Sequence, residues 1–415
     1  MTQDTPLMTN KRKFLTILIL GLLTAVVPFS IDMYLPGFPE IARSLHTTVS
    51  KVALSLSSFF IGLAIGQLAY GPILDRFGRK MPLYAGLFLY CITSVGCSFA
   101  PSIEILIGLR FVQAIGACAA SVAATAMVRD LFPASENARI FSFLILVLSA
   151  SPMLAPTIGG YVTAWFGWQA IFLTLTGLII VILLGAFFFL PEGKPADKEH
   201  SMNMLSVLRG YKAVLREGEF MVYSFSAAIG FGCLFTYIAS SPGIFMGKYQ
   251  LTQQQYGFLF AFIASGLIIA AQVNNLLLKR MSSEQIMIRV FVVQNLIGIL
   301  LLATALMHIE SFWLVISLLF CFLTPLGFVM PNASALAMRP FSHNAGSAAA
   351  LLGFIQMGLG SVATVLIGAL DIKTMLPMTL GLIFCSVLAL GVLVGGRRHY
   401  GLETPRPSFL RRQES

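Results

Sequence analysis

Two ionisable residues sit where hydrocarbon would surround them. Arg110 falls inside Leu109-Arg110-Phe111-Val112-Gln113-Ala114-Ile115-Gly116, and Asp32 inside Ser30-Ile31-Asp32-Met33-Tyr34-Leu35-Pro36, each in a long apolar stretch. Charged groups at such depth are costly and mark ion or substrate pathways. Together they could bind and release a proton. Burial favours the neutral acid, a neighbouring guanidinium favours the carboxylate, and a cavity that opens and closes alternates which prevails. Two plainer readings stand beside this one: Asp32 as a helix-end acid solvated at the membrane surface, and Arg110 as a post hydrogen-bonded to backbone carbonyls.

Other chemistries lack their residues. Gly243 to Lys248 has the wrong spacing for a phosphate loop, and no Gly-x-Ser-x-Gly elbow occurs. The five histidines, His46, His200, His308, His343 and His399, have no metal-ligand spacing, and all six cysteines fall in apolar runs as small core hydrophobes. The chain is therefore expected to be no enzyme, to hold no metal and no cofactor, and to draw its energy from a source other than ATP.

The elements that must position Asp32 and Arg110 follow from composition. Of 415 residues 57% are hydrophobic and only 11% charged, against about 25% charged in soluble domains. A soluble enzyme, a disordered chain and an outer-membrane barrel are excluded. Twelve apolar stretches, from 14–36 and 49–74 to 345–369 and 375–396, are each long enough to cross a bilayer as a helix. The fold class is thus all-α integral membrane. With the N-terminus inside, 22 of the 27 Lys and Arg fall in inner segments, so both termini are expected in the cytoplasm and the net charge of +10 is topogenic rather than a sign of nucleic-acid binding. The polar connection 191–219 separates a bundle at 1–190 from one at 220–396, with a tail at 397–415. In this connection Leu205, Leu208 and Leu215 share one helical face and Arg209, Lys212 and Arg216 another, which fits either a helix on the inner leaflet or a plain linker. The halves read as repeats offset by about 205 residues, as in parallel-repeat transporters, with Pro36-Gly37 matching Pro242-Gly243.

The loop Gly71-Pro72-Ile73-Leu74-Asp75-Arg76-Phe77-Gly78-Arg79-Lys80 resembles the signature between helices two and three of the major facilitator superfamily. The resemblance, which covers spans one to twelve, implies two pseudo-symmetric six-helix bundles and a cytoplasmic clasp of Gly71, Asp75, Arg76, Gly78 and Arg79. Gly71 would allow close helix approach and Gly78 a tight reversal. Asp75 would face the start of span eleven at Asn344 to Ser347, and Arg129 would complete the clasp. The segment around Arg110 and Gln113 resembles that of proton-coupled members. Asp32-Met33-Tyr34-Leu35-Pro36 looks like the bicyclomycin, chloramphenicol and florfenicol resistance branch of the drug:proton antiporters. Pro152, Pro156, Gly159 and Gly160 in span five resemble the antiporter motif, with small residues in place of its first glycines.

These resemblances imply proton coupling through Asp32 and Arg110, and a drug-sized pocket with aromatics and amides. Its candidates are Tyr34, Phe59, Phe60 and Gln113 from the first half, and Phe231, Phe235, Tyr237, Asn274, Asn332 and Gln356 from the second. Asp32 is the sole acid well inside a span, so neutral, zwitterionic or singly charged amphipathic drugs are expected, exchanged for protons by a monomer in a bacterial inner membrane. The alternative is a proton-coupled or passive permease for a metabolite or siderophore.

Overall fold

The computed structural model describes residues 10–193, 204–309, 311–341, 344–370 and 374–402; residues 194–203 of the expected linker 191–219, and the part of the expected tail 397–415 beyond 402, lie outside them. Twelve helices among the described residues are long and apolar enough to cross a membrane: α1 Lys11–Ser44, α2 Val49–Phe77, α3 Lys80–Ser98, α4 Ile103–Leu131, α5 Arg139–Phe166 and α6 Gln169–Phe189, then α8 Gly218–Lys248, α9 Gln253–Leu277, α10 Ser283–Leu306, α11 Phe312–Met338, α12 Ala345–Gly368 and α13 Leu376–His399. Between the two sets lies a short connecting helix, α7, Met204–Val214. Exposed Phe88, Phe187, Phe188, Leu296 and Trp313 form part of the apolar belt that such a chain turns to lipid.

Local sequence sets the ends. Thr252 and Gln255 close a reciprocal cap on α9, and Ser282 and Gln285 do the same on α10. The first span runs beyond its expected limit at 36 because it is broken rather than ended. Its helix stops at Asp32, turns through Leu35–Gly37 and resumes as Phe38–Ser44. Pro36 has no N–H to give the carbonyl of Asp32, which stops the helix there.

The spans form two bundles, α1–α6 and α8–α13, which meet chiefly where α2 packs on α12 and α5 on α9. Both termini of the described chain lie at one end, here the basic end. At the far end the halves are shut. A side chain on Gly160 would strike the backbone of Gln253, and one on Gly257 the carbonyl of Pro156, while Ser57 donates to Thr364 at 2.7 Å. Toward the basic end Ser142 of α5 and Gln272 and Asn275 of α9 are exposed, and each ion pair among the described residues joins groups of one half. The structure is shut at the far end and parted at the basic end.

Three expectations are corrected. Gly71 does not mediate a close approach, since a methyl there would touch nothing within 4 Å, whereas Gly78 does need its freedom at φ +79°. Arg129 is exposed, and its neighbour Asp130 binds Arg79 instead. Of the six cysteines, Cys97, Cys118 and Cys233 are buried but Cys321 is exposed, which suits a small apolar side chain facing lipid.

Candidate functional site

Arg110 is fully buried on α4 and is held from several directions. Its Nη1 donates to Gln113 Oε1 at 2.7 Å and its Nη2 to the carbonyl oxygen of Ser30 at 2.9 Å. The guanidinium carbon lies 4.1 Å from the ring centre of Phe59, 4.7 Å from Tyr34 and 5.8 Å from Phe172. Aromatic faces partly replace water around a cation. The Ser30 carbonyl is free because the first helix of α1 ends two residues later, and a cation at that negative helix end is favourable. Ser30 and Tyr90 share a hydroxyl hydrogen bond of 2.6 Å, and Tyr34 and Ser55 one of 2.8 Å. Arg110 Nε and Gln113 Nε2 are buried without a partner.

Asp32, at the break itself, is only 4% exposed. No ion pair of 4.0 Å or less joins it to Arg110 among the described residues. The expected direct partnership is thus absent, because Arg110 is turned onto the backbone of α1 inside the first half. Asp32 instead lies within electrostatic range of Tyr237 on α8 and Tyr256 on α9, across the boundary between halves. There Ser241 and Tyr256 share a hydrogen bond of 2.7 Å, and the Tyr237 hydroxyl is buried beside Ser241. Gly159 seats α5 against the break, because any side chain there would overlap the carbonyl of Met33, next to Asp32. Pro156, Gly159 and Gly160 are all buried, with Pro152 half-buried.

The remaining pocket candidates separate. Phe60 and Phe235 meet edge to face across the halves at 4.6 Å, and Phe235 packs on Gly360. Tyr34, Phe59 and Gln113 belong to the Arg110 surroundings. Asn332 donates to Asn274 at 2.6 Å inside the second half, with its own carbonyl oxygen unpartnered. Phe231 and Gln356 are half-buried, and Gln356 Nε2 reaches Met330 Sδ at 3.4 Å.

At the basic end Arg79 bridges two acids, Nη1 to Asp75 at 2.8 Å and Nε to Asp130 at 2.6 Å. Burial works against the Arg79 charge, but the hydrogen bonds to Asp130 and Asp75 outweigh it and hold the guanidinium above its ordinary range. Arg76 lies over Phe77 at 5.6 Å. The second half carries its own cluster, in which Arg339 binds Glu219 through two bonds and approaches Glu284 at 3.7 Å. Sequence reasoning did not single out this cluster, nor Ser30, Tyr90, Phe172, Ser241 and Tyr256. Its one visible signal was an acid in the first turn of each of α8 and α10.

Comparison with known proteins gives three kinds of likeness. The family model described as Major Facilitator Superfamily matches residues 20–365. A bicyclomycin resistance protein homolog of Haemophilus influenzae is 31% identical over 92% of this chain and 95% of the relative, and a chloramphenicol resistance protein of Pseudomonas aeruginosa is 30% identical over 91% and 89%. An uncharacterized MFS-type transporter of Bacillus subtilis, YdgK, is 32% identical over 96% and 98%. Among solved structures, a D-xylose-proton symporter superposes with a TM-score of 0.73 at 14% identity, covering 92% of this chain and 97% of that one, a likeness of fold.

Proposed function

The chain belongs to the major facilitator superfamily, and from that premise we propose that this multi-pass transport protein is a secondary active drug exporter driven by protons. It takes neutral, zwitterionic or singly charged amphipathic compounds outward and returns protons, working as a monomer in a bacterial inner membrane. The names of the relatives from Haemophilus influenzae and Pseudomonas aeruginosa support a drug or antibiotic as substrate. The excess of Lys and Arg at the basic end supports placing that end in the cytoplasm.

One observation carries the coupling: Asp32 is buried at a helix break on the boundary between halves, with no cation of the described residues within 4.0 Å. A carboxylate without a partner there is costly, so the far-end-shut state is the proton-loaded one. Opening the far end would part Asp32 from Tyr237 and Tyr256 and admit water, which stabilises the charged form. Arg110 acts through the backbone: it ties α4 to the carbonyl two residues before Asp32 and so fixes where the acid is presented. Phe60 and Phe235, which meet across the halves, would part to admit an apolar ring. Returning one positive charge inward releases about 2.3 kcal/mol per 100 mV, sufficient for modest outward accumulation.

The test is a growth-inhibition panel in a pump-deficient bacterium that overproduces the protein. Tolerance should rise at least four-fold toward chloramphenicol or another amphipathic antibiotic and fall back with Asp32→Asn. No gain toward any compound of the panel would contradict the reading.

A further inference from the structure

Pro72 lies within α2 and has no N–H, so the carbonyl of Leu68, four residues earlier, lacks its helical donor. The connecting helix supplies one: the hydroxyl of Tyr211 on α7 donates to that carbonyl oxygen at 2.9 Å. Burial pushes the Tyr211 hydroxyl above its ordinary pKa, which keeps it a neutral donor. The residue beside it, Gly210, faces the other half. A methyl there would come within 3.3 Å of Ser347 Oγ in the first turn of α12. Two adjacent residues of α7 thus touch α2 and α12, the two helices whose packing joins the halves.

Both helices are still together one step deeper, where Gln67 fills the space beside Gly353. Nearer the basic end, side chains added at Gly71 or Gly346 would touch nothing within 4 Å. At this end α7 lies against both helices, through Tyr211 on α2 and Gly210 on α12. Asp75, meanwhile, is bound within its own half to Arg79.

We propose that Tyr211 is a positioning residue of the gate: by donating to the carbonyl that Pro72 leaves open, it holds α7 as a wedge between α2 and α12 and keeps the basic end parted. Closing that end requires Tyr211 to leave Leu68 and Gly210 to leave Ser347. The inference rests on alternating access as the mode of action, but not on the identity of the drug or on proton coupling.

The experiment is a spin-label distance measurement between Arg139→Cys and Arg280→Cys, at the basic ends of the two halves, in the full chain with its native cysteines replaced. Removal of the hydroxyl by Tyr211→Phe should shift the ratio of long to short distances about five-fold toward short, the ratio expected for one neutral hydrogen bond. Pro72→Ala gives Leu68 its helical donor back, so Tyr211→Phe should add no further shift in that background. Gly210→Leu, which forces α7 off Ser347 by a separate route, should also favour short distances. The proposal is overturned if Tyr211→Phe leaves the distribution unchanged, if its shift is as large with Ala at 72, or if Gly210→Leu has no effect. A loss of drug tolerance in the exporter assay would leave this distance measurement unaffected.

Discussion

Arg110 donates to the carbonyl oxygen of Ser30 at 2.9 Å, two residues before the buried Asp32, and forms no ion pair with Asp32 itself. The cation and the acid are linked through a helix end. The broken helix of α1 explains this geometry: it frees the carbonyl that Arg110 takes, and it leaves Asp32 at the break, apart from the guanidinium.

Arg110→Lys should therefore fail although it keeps the charge. A single ammonium cannot reach Gln113 and Ser30 together while stacking on Phe59. Drug efflux should fall at least ten-fold. Arg110→Ala leaves the Ser30 carbonyl and the Gln113 amide unpaired, costing about 1 to 3 kcal/mol for each buried group, which a thermal melt in detergent would read as a lower Tm.

Gly160→Ala should hold the far end open, because the added methyl overlaps the Gln253 carbonyl of the other half. Ser57→Cys, whose position is sealed against Thr364 when that end is shut, reports the change. Its labelling by a maleimide should rise several-fold in the Gly160→Ala background, in a chain with Cys91, Cys321 and Cys385 replaced. Unchanged labelling would mean that α5 does not seal on α9.

At the basic end, Asp130→Asn should impair transport as much as Asp75→Asn, since Arg79 holds both acids. Arg129→Gln should leave transport within two-fold of the parent chain. Efflux rates of the three variants decide this. In the second half Arg339 is 54% exposed, so Glu219→Gln should change stability by less than about 1 kcal/mol.

The difference between Arg129 and Asp130 shows where sequence stops being informative. The loop motif identified Gly78 and Arg79, because a tight reversal needs glycine and a buried arginine needs acids. Adjacent residues on a helix point about 100° apart, and nothing in the string of letters says which of them faces Arg79. The intramembrane charges were equally visible, since few residues of this chain are charged at all. Their relative orientation was not, because it depends on the helix stopping at Asp32 under the influence of Pro36. Tyr256 and Ser241 carried no signal, being two among many hydroxyl residues in apolar spans. The glycines of α5 were legible as small residues, while the partners they admit, Met33 within the first half and Gln253 across the boundary, were fixed only by tertiary packing.

The central claim is that Asp32 exchanges its proton for drug. Its direct test is proton release from the purified protein in weakly buffered detergent on addition of chloramphenicol, named for one of the relatives. The parent chain should release about one proton per molecule as drug is bound, and Asp32→Asn, though folded, should release none. Release from Asp32→Asn equal to that of the parent chain would contradict the account.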